Sequence, residues 1–455
     1  MLYTLIRLVA ILSLERFFHN IVVEHRERVP KNRPTIFVAN HPNTMIDAML
    51  VGYAVGKRIH FLAKGTLFTN RIASWLLGRM GLVPLYRYQD DPAQMLRNEE
   101  VFRRLYDHLR QGGSFLIFPE GTSEPERRLQ RIKTGAARIA FGAENEYDFR
   151  LGVHIVPVGL NYSDYEKFRS DAYCRFGHAI IPGELKREYE KDPTQAVRSV
   201  TNRIKVNLEK LTTYLPEDGL AETVSNLERI YKKELMVDLG MKLKSMKDDF
   251  LATKGIIRAV EWFYHNQRER VEQIQKRIAT YLRNLERLHI RDEFLSPRRS
   301  GLGFRKRLKA WLLMVLGFPL YLWGTINNFI PYILPRWYVN RFVDKKTFVS
   351  SVKLLVGLGS FVIFFSLQSW FTWHLFHARW ITILYAISLI PSGNFALYYF
   401  RKASNYRQHM IFLSLFYRRR NLVYDLIQQR MELIESLNRA RDEYLAATRT
   451  VFRPS

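Results

Sequence analysis

The chain has 455 residues, of which 70 are lysine or arginine and 43 are aspartate or glutamate. The formal charge of +27 predicts attraction to phosphate, on nucleic acid, an anionic lipid surface or a phosphorylated substrate, and charge alone does not choose among them. The single cysteine, Cys174, excludes an intrachain disulfide framework and fits a reducing compartment.

The first segment, residues 1–28, begins with an apolar run that is too short to span a bilayer. It has no small-residue cleavage pattern, and it continues into Glu15 and Arg16, unlike a removed signal peptide. We therefore expect an N-terminal interfacial anchor helix here.

Residues 29–190 alternate short β-branched runs with helical patterns, which predicts an α/β layered domain. A proline in a strand belongs at a sheet edge or at a special contact, and Pro157 interrupts the last of these runs. The expected elements are strands at residues 35–39, 59–63, 114–118 and 154–160 and a helix at residues 90–111.

The remainder of the chain is predicted to be helical. Residues 191–300 carry apolar positions at three- and four-residue spacing among many charges, which is typical of an amphipathic helical module. Residues 401–455 form a charged helical tail, for which a coiled-coil contact and packing on its own chain both remain open.

The membrane region is expected at residues 301–400. Residues 354–376 and 380–400 are long and apolar enough to cross a bilayer. Residues 311–334 are interrupted by Gly, Pro and Asn, which favours a re-entrant or broken hairpin, with three ordinary spans as the alternative. Basic clusters lie before and after residues 311–334 and again after residue 400. By the positive-inside rule, these basic segments are predicted to face the cytoplasm.

The most informative run extends from Phe37 to Asp47, where an apolar strand ends in His41. A neutral imidazole can remove an alcohol proton when a second group fixes its tautomer and stabilises the imidazolium. His41 and Asp47 are candidates for these two roles. A buried loop histidine next to a helix-capping asparagine is the ordinary alternative for any single histidine.

Three further runs follow in order. Residues 80–87 end in Arg87, a guanidinium that can bind phosphate through two hydrogen bonds. Residues 114–123 are an apolar strand followed by Pro-Glu-Gly-Thr, whose glycine turn suits a phosphate or an oxyanion. Residues 154–161 form the fourth run, His-Ile-Val-Pro-Val-Gly-Leu-Asn.

Together and in this order, the four runs resemble the glycerolipid acyltransferase family over residues 29–183. The resemblance implies an acyltransferase layered domain, a mixed sheet flanked by helices, followed by the helical module and C-terminal transmembrane helices. It also implies a general base with its partner and a group of substrate-binding residues. The base is His41 and the partner Asp47; the substrate-binding positions are Lys64, Arg87, Glu120, Gly121, Thr122, Ser123 and Lys133.

Two features depart from the commonest pattern of that family. Five residues separate His41 from Asp47 instead of four, so the motif must span a turn, which Pro42 and a helix-capping Asn43 make plausible. Ser123 stands where many lysophosphatidate acyltransferases have arginine. Both departures resemble the branch of yeast-type glycerol-3-phosphate acyltransferases and their bacterial relatives. The nearby basic residues are candidate substitutes for the missing arginine, or else a solvated basic face: Arg127, Arg128, Arg131 and Lys133.

The sequence thus predicts a membrane-bound O-acyltransferase of phospholipid biosynthesis. The donor would be acyl-CoA or acyl carrier protein, and the acceptor glycerol-3-phosphate, with lysophosphatidate or another lysolipid as the alternative. The catalytic domain would face the cytoplasm, at a bacterial inner membrane or at the endoplasmic reticulum. We expect no cofactor, no metal and no nucleic-acid partner, and the backbone amides near Gly121 are candidate oxyanion donors. An inactive membrane scaffold or lipid-binding protein is the alternative outside the enzymes.

Overall fold

The computed structural model describes residues 2–68, 70–86, 97–124, 127–217, 219–296 and 304–448. These residues divide into two compact units. The first consists of Met1–Pro216 with Tyr338–Val356, and the second of Glu217–Trp337 with Gly357–Ser455.

The first unit is built on a mixed sheet with the strand order β1-β7-β6-β2-β5-β3-β4. Neighbouring strands are parallel except for the antiparallel pair β6 and β7. The strands are β1 (Asn20–Glu24), β2 (Thr35–Ala39), β3 (His60–Lys64), β4 (Leu82–Leu85), β5 (Ser114–Ile117), β6 (His154–Tyr162) and β7 (Asp171–Phe176).

Helices cover both faces of this sheet. The helices of the first unit are α1 (Leu2–Phe17), α2 (Thr44–Val55), α3 (Arg71–Arg79), α4 (Arg97–Arg110), α5 (Gly135–Glu146), α6 (Lys186–Lys191) and α7 (Pro193–Leu211). Successive side chains of a strand point to opposite faces, so the buried run of β2 feeds two cores. Ile36 and Val38 pack with α4, α5 and α7, whereas Phe37 and Ala39 pack with α1 and α2. Burial on both faces explains why β2 reads as a continuous apolar run.

The predicted layered domain and its mixed sheet are confirmed, and the four predicted strands are present. The predicted helix at residues 90–111 appears as α4, and its first seven positions lie outside the described residues. Three strands went unpredicted, β1, β4 and β7. The anchor helix predicted over residues 1–28 ends at Phe17, because the following residues pair with β7 as the edge strand β1.

Of the two alternatives predicted for Pro157, a sheet edge or a special contact, the sheet edge is excluded because β6 is an interior strand. Ile155 exchanges both backbone hydrogen bonds with Ile180, so the N–H positions of residues 155 and 157 face the β7 side. The regular ladder with β7 begins only at Val158, and Pro157 accepts from the Gly177 N–H there. The proline therefore falls where no ladder donor is required.

The remaining helices are α8 (Ala221–Ile230), α9 (Lys232–Asp238), α10 (Met246–Asn266), α11 (Arg268–Arg287), α12 (Phe304–Leu316), α13 (Phe318–Phe342), α14 (Val349–Phe376), α15 (Arg379–Arg418) and α16 (Arg420–Thr448). The first unit includes α7, which the sequence analysis assigned to the helical module. Within the second unit the tail helix α16 packs on α10 and α11 of its own chain. Its buried Arg430 forms ion pairs with Asp292 and Glu234.

Among the described residues, two helical segments are long and apolar enough to cross a membrane, by length and composition. They are Lys346–Phe376 and Arg379–Arg418, and only 17% of the most apolar window of each is buried. The first segment contains the predicted span 354–376, and the second contains the predicted span 380–400. Their exposed side chains include Val362, Trp370 and Ile387, which suit a lipid environment better than water.

Residues 311–334, for which the sequence predicts a re-entrant or broken hairpin, lie in the two helices α12 and α13, with a break at Gly317. The Gly317 N–H donates to Leu313 and the Tyr321 N–H donates to Gly317, so helical hydrogen bonding continues past the break between α12 and α13. Helix α13 then runs through Pro331 and Pro335. Prolines are tolerated inside such helices where neighbouring groups satisfy the backbone, and here Ser360 donates to the Pro331 carbonyl.

Candidate active site

The predicted site residues that the structure describes lie around one end of the sheet, where its parallel strands finish. The strands β2, β3, β5 and β6 run parallel within the sheet, so their carboxyl ends meet there. The residues that follow or end these strands include His41 after β2, Lys64 on β3 and Glu120 after β5. Ligand sites of open α/β sheets form at this end, where the loops leave the strands.

His41 and Asp47 meet as the sequence predicts. The His41 Nδ1 atom lies 2.9 Å from the Asp47 Oδ2 atom. Asp47 is fully buried, and its two carboxylate oxygens accept two further bonds. The Asn43 backbone N–H donates to Oδ2 at 2.6 Å, and the Tyr162 hydroxyl donates to Oδ1 at 2.6 Å. A buried carboxylate needs such donors, because burial without them costs several kcal/mol.

The five-residue spacing is accommodated because His41 precedes α2 and Asp47 lies in its first turn. Asp47 reaches back to the Asn43 N–H, as the acidic residue of a capping box does. Asn43 occupies the N-cap position of α2 as predicted, but its side chain makes no cap hydrogen bond and donates instead to the Tyr165 carbonyl. Thr44, between them, has a positive φ of 40°.

The orientation of the His41 imidazole ring is fixed by stacking on an aromatic side chain. The ring stacks on Phe118 with 3.7 Å between centroids and 12° between planes, and the His41 side chain is 18% exposed. Because an ionised Asp47 accepts from Nδ1–H, the Nε2 atom carries the lone pair. The arrangement leaves Nε2 as the proton acceptor for an incoming hydroxyl.

Glu120 joins two loops of the site. Its Oε1 accepts the His41 backbone N–H at 3.0 Å, and its Oε2 accepts the Gln130 N–H at 2.9 Å. Burial raises the pKa of this carboxyl to about 7. Substrate binding by Glu120 stays a prediction. Its two hydrogen bonds also connect the His41 loop to the segment that contains Gln130.

The glycine turn has its own contacts. Gly121 has φ of 70°, and a Cβ there would lie 2.4 Å from the Lys133 Nζ, so only glycine leaves room for that amine. The Gly121 N–H donates to the Phe118 carbonyl at 3.1 Å, and the prediction that backbone amides near Gly121 are oxyanion donors stays a prediction for the neighbouring amides. Thr122 and Lys133 are exposed beside this turn.

Ser123 contacts the histidine motif directly. Its Oγ accepts the Thr44 N–H at 3.1 Å and so satisfies a free donor at the start of α2. Lys64 is exposed at the end of β3, two strands from β2, or roughly 10 Å across the sheet. Arg87 lies outside the described residues.

A small cavity opens beside the imidazole. Its lining combines the His41 loop, the segment after the glycine turn and the end of α7. It includes two of the basic residues named from the sequence, Arg127 and Arg128, and three residues that sequence reasoning missed, Thr212, Thr213 and Tyr214. The cavity is thus a polar pocket with cationic groups beside the candidate base.

Two more residues of the site were missed. Tyr162 follows the fourth motif by one residue, and nothing in the sequence separates it from other strand tyrosines. Asn40 sits next to His41, and its side chain exchanges hydrogen bonds with both backbone groups of Leu160 at 2.7 and 2.9 Å. It therefore takes the place of a peptide group just past the end of β2 and fixes the loop that carries the histidine.

Comparisons with known proteins match mainly the part of the chain that carries this site. Residues 20–161 match a family model described as Acyltransferase. The chain is 25% identical over 299 residues to glycerol-3-phosphate O-acyltransferase 1 of Saccharomyces cerevisiae, covering 62% of this chain and 38% of that protein. It is 31% identical over 144 residues to a chloroplastic 1-acyl-sn-glycerol-3-phosphate acyltransferase of Arabidopsis thaliana, covering 31% of this chain and 36% of that protein. Residues 20–161 are therefore an acyltransferase domain, similar to those of glycerolipid acyltransferases.

Among solved structures, the chain matches the 1-acyl-sn-glycerophosphate acyltransferase PlsC of Thermotoga maritima with a TM-score of 0.33 and 22% identity. That match covers 46% of this chain and 79% of the other. The chain spans less than two fifths of the length of the two curated relatives named above. The acyltransferase domain contains all four motifs, from the His41 loop to the end of β6.

Cysteine chemistry has no place in this acyltransferase domain. Cys174 is buried on β7, and burial raises the pKa of its thiol, which disfavours a nucleophilic thiolate. Within the described ranges, no group of three His, Cys, Asp or Glu side chains is placed to hold a metal ion.

Proposed function

We propose that the chain is a membrane-bound O-acyltransferase that moves a fatty acyl group from a thioester carrier to a hydroxyl of glycerol-3-phosphate. The observation that carries the proposal is the hydrogen-bonded set His41, Asp47 and Tyr162 beside a polar cavity. A buried carboxylate behind an imidazole, with the outer nitrogen left for substrate, is suited to general-base catalysis.

In the proposed step, His41 Nε2 takes the hydroxyl proton while the oxygen attacks the thioester carbonyl carbon. The new carbon–oxygen bond replaces the carbon–sulfur bond, and the imidazolium returns its proton to the departing thiolate. Asp47 offsets the charge of the imidazolium between these two transfers. No covalent enzyme intermediate, cofactor or metal takes part, and acyl-CoA or acyl carrier protein is the donor substrate.

The acceptor phosphate is assigned to the cationic residues around the cavity. Arg127 and Arg128 line it, and Lys133 lies over the glycine turn. Guanidinium groups bind phosphate through paired hydrogen bonds. In the proposal, these cationic residues replace the arginine that many lysophosphatidate acyltransferases have at the position of Ser123. Glycerol-3-phosphate ranks first because of the five-residue spacing and the yeast relative, and 1-acylglycerol-3-phosphate is the second candidate because of the plant relative.

Membrane attachment is assigned to Lys346–Phe376 and Arg379–Arg418. The net charge of +27 favours an anionic cytoplasmic leaflet, where each well-placed basic residue contributes about 1 kcal/mol. A bilayer-resident acceptor or product would then be reached without leaving the membrane surface.

The experiment supplies membranes containing the protein with radiolabelled acyl-CoA or acyl carrier protein and a panel of acceptors. We expect transfer to glycerol-3-phosphate, abolished in His41→Ala. The matched control is His154→Ala, because His154 is also half-buried but begins β6 at the opposite end of the sheet. Equal transfer by His41→Ala and wild type would reject the mechanism. Transfer only to lysophosphatidate would reverse the ranking of acceptors. No transfer at all would favour the scaffold.

A second experiment tests the phosphate assignment. Arg127→Gln and Arg128→Gln should each raise KM for the phosphorylated acceptor about tenfold while KM for acyl-CoA stays constant, because one charge-assisted contact is lost. Arg104→Gln is the control, since Arg104 is an exposed arginine of α4 paired with Glu100. A rise in KM for both substrates would argue against a specific phosphate contact.

A further inference from the structure

The beginning of the first candidate membrane span belongs to the acyltransferase unit, which includes Tyr338–Val356. Its contacts reach the histidine motif itself. The Thr44 Oγ1 donates to the Thr347 carbonyl at 3.0 Å and lies 2.7 Å from the Ser351 Oγ. Ser351 is 4% exposed and Thr44 is half-buried, so this contact between hydroxyls is partly shielded from solvent.

The backbone conformation of Thr44 must be stabilised by contacts with other residues. Its φ of 40° is in the left-handed region, which β-branched residues avoid. Such a conformation persists only where the surroundings impose it, and it clusters at functional sites. The Thr44 N–H is fixed by Ser123, and its hydroxyl is fixed by the start of α14. The strained residue therefore joins the third motif to the apolar helix.

The same helix end also holds the loop after β6. The Ser350 hydroxyl donates to the Tyr165 carbonyl at 2.5 Å, and the Lys353 Nζ donates to the Glu166 carbonyl at 3.1 Å. The Asn43 side chain donates to the Tyr165 carbonyl as well. This loop follows Tyr162, whose hydroxyl donates to Asp47, and Asn43, whose N–H also donates to Asp47, precedes Thr44. The start of α14 therefore contacts both segments that donate hydrogen bonds to Asp47.

We propose that Thr44 and Ser351 are positioning residues, through which the first turns of α14 fix the turn between His41 and Asp47. The inference rests on the proposed function and adds Ser351, which lies beyond residues 20–161. Anchoring alone would need only apolar packing, which Leu354 supplies in the core of α1 and α2. Hydroxyls instead give the direction of a hydrogen bond, which a turn of defined geometry requires.

The first test compares Thr44→Val with Thr44→Ser. Valine keeps the shape and loses the hydroxyl, whereas serine keeps the hydroxyl. We expect Thr44→Val and Ser351→Ala to lower kcat about tenfold or more with KM for acyl-CoA unchanged, because small misplacements of reacting groups are costly. Thr44→Ser should retain at least half of the wild-type kcat. The double variant should be no worse than the poorer single variant, since both remove one interaction.

The matched control is Ser360→Ala on the same helix. Ser360 is also 4% exposed and donates its hydroxyl to Pro331 and Gly357. Its loss should leave kcat unchanged. Equal losses in Ser360→Ala and Ser351→Ala, or equal losses in Thr44→Ser and Thr44→Val, would overturn the proposal by showing a general packing defect.

A readout without acyl transfer separates this proposal from the function it rests on. Diethyl pyrocarbonate modifies exposed imidazoles, and mass spectrometry gives the rate at His41 relative to His154. We expect Thr44→Val and Ser351→Ala to change that ratio at least threefold, and Thr44→Ser to keep it. An unchanged ratio with wild-type kcat rejects the positioning role while leaving the acyltransferase intact. Failure of wild type to transfer acyl groups rejects the proposed function, and the labelling ratio still decides whether the helix end fixes His41.

Discussion

The hydroxyl of Tyr162 is the sharpest test of how the site is assembled. Tyr162→Phe removes one of three donors from the buried carboxylate of Asp47 and leaves the ring in place. Burial, together with the neighbouring Asp47 charge, raises the pKa of Tyr162 well above its usual value, so the phenol stays protonated and remains a donor. The substitution therefore tests one hydrogen bond.

The expected magnitude follows from that bond. A 2.6 Å hydrogen bond to a buried carboxylate contributes about 1.5–3 kcal/mol, twice that of a neutral pair. We expect the free energy of unfolding to fall by about that amount. Only the part that orients Asp47 toward the imidazolium affects the transition state. About 1 kcal/mol lost there lowers kcat roughly fivefold.

The assay measures acyl transfer and thermal unfolding in detergent, with Tyr173→Phe as the control. Tyr173 is also a buried tyrosine that donates to a carboxylate, that of Glu24, on the far strands of the sheet. Both variants should be less stable, and only Tyr162→Phe should lose kcat. Equal kcat for Tyr162→Phe and wild type, with stability reduced, would refute the claim that this bond orients the carboxylate.

Three other changes have defined outcomes. Since the pKa of Glu120 is raised to about 7 in the fold, stability should fall as pH rises from about 4.5 to 7, by up to about 3 kcal/mol, and denaturation of Glu120→Gln across this range should lack that slope. Gly159→Ala should cost more than 3 kcal/mol, because its Cβ would lie 2.3 Å from the Leu211 carbonyl oxygen; unchanged melting would contradict this. Arg430→Leu should destabilise the helical unit by about 3–5 kcal/mol, because Asp292 keeps a buried charge, and limited proteolysis should show faster cleavage there.

The layered fold was predictable because the central strands β2, β5 and β6 are buried on both faces. Such strands read as short apolar runs between helical patterns, as Thr35–Ala39 does. The unpredicted strands are the two edge strands, β1 and β4, and β7 next to β1, and none of the three is buried along its whole length. The run Asn20–Glu24 also follows the anchor helix without a break, so its role as a strand depends on β7, about 150 residues later.

The site was predictable only where its residues are neighbours in sequence. His41 and Asp47 stand in one motif, and their contact requires a turn that Pro42 and Asn43 signal. The third donor, Tyr162, arrives from β6, and the Ser351 hydroxyl arrives from more than 300 residues away. Hydrogen-bonding capacity is visible in a sequence, whereas the partner that uses it is set by tertiary packing.

The spacing between His41 and Asp47 has a structural reason that helix periodicity does not supply. Two residues six apart on one helix would lie on different faces, so the pair cannot share α2. The structure begins α2 at Thr44, and Asp47 uses one oxygen for both His41 and the free N–H of Asn43. The fifth intervening residue is therefore accommodated at the helix start by the positive φ of Thr44. A chain with four residues between the histidine and the aspartate would need a different backbone conformation at the start of this helix. The contact between its histidine and its aspartate would then also be made differently.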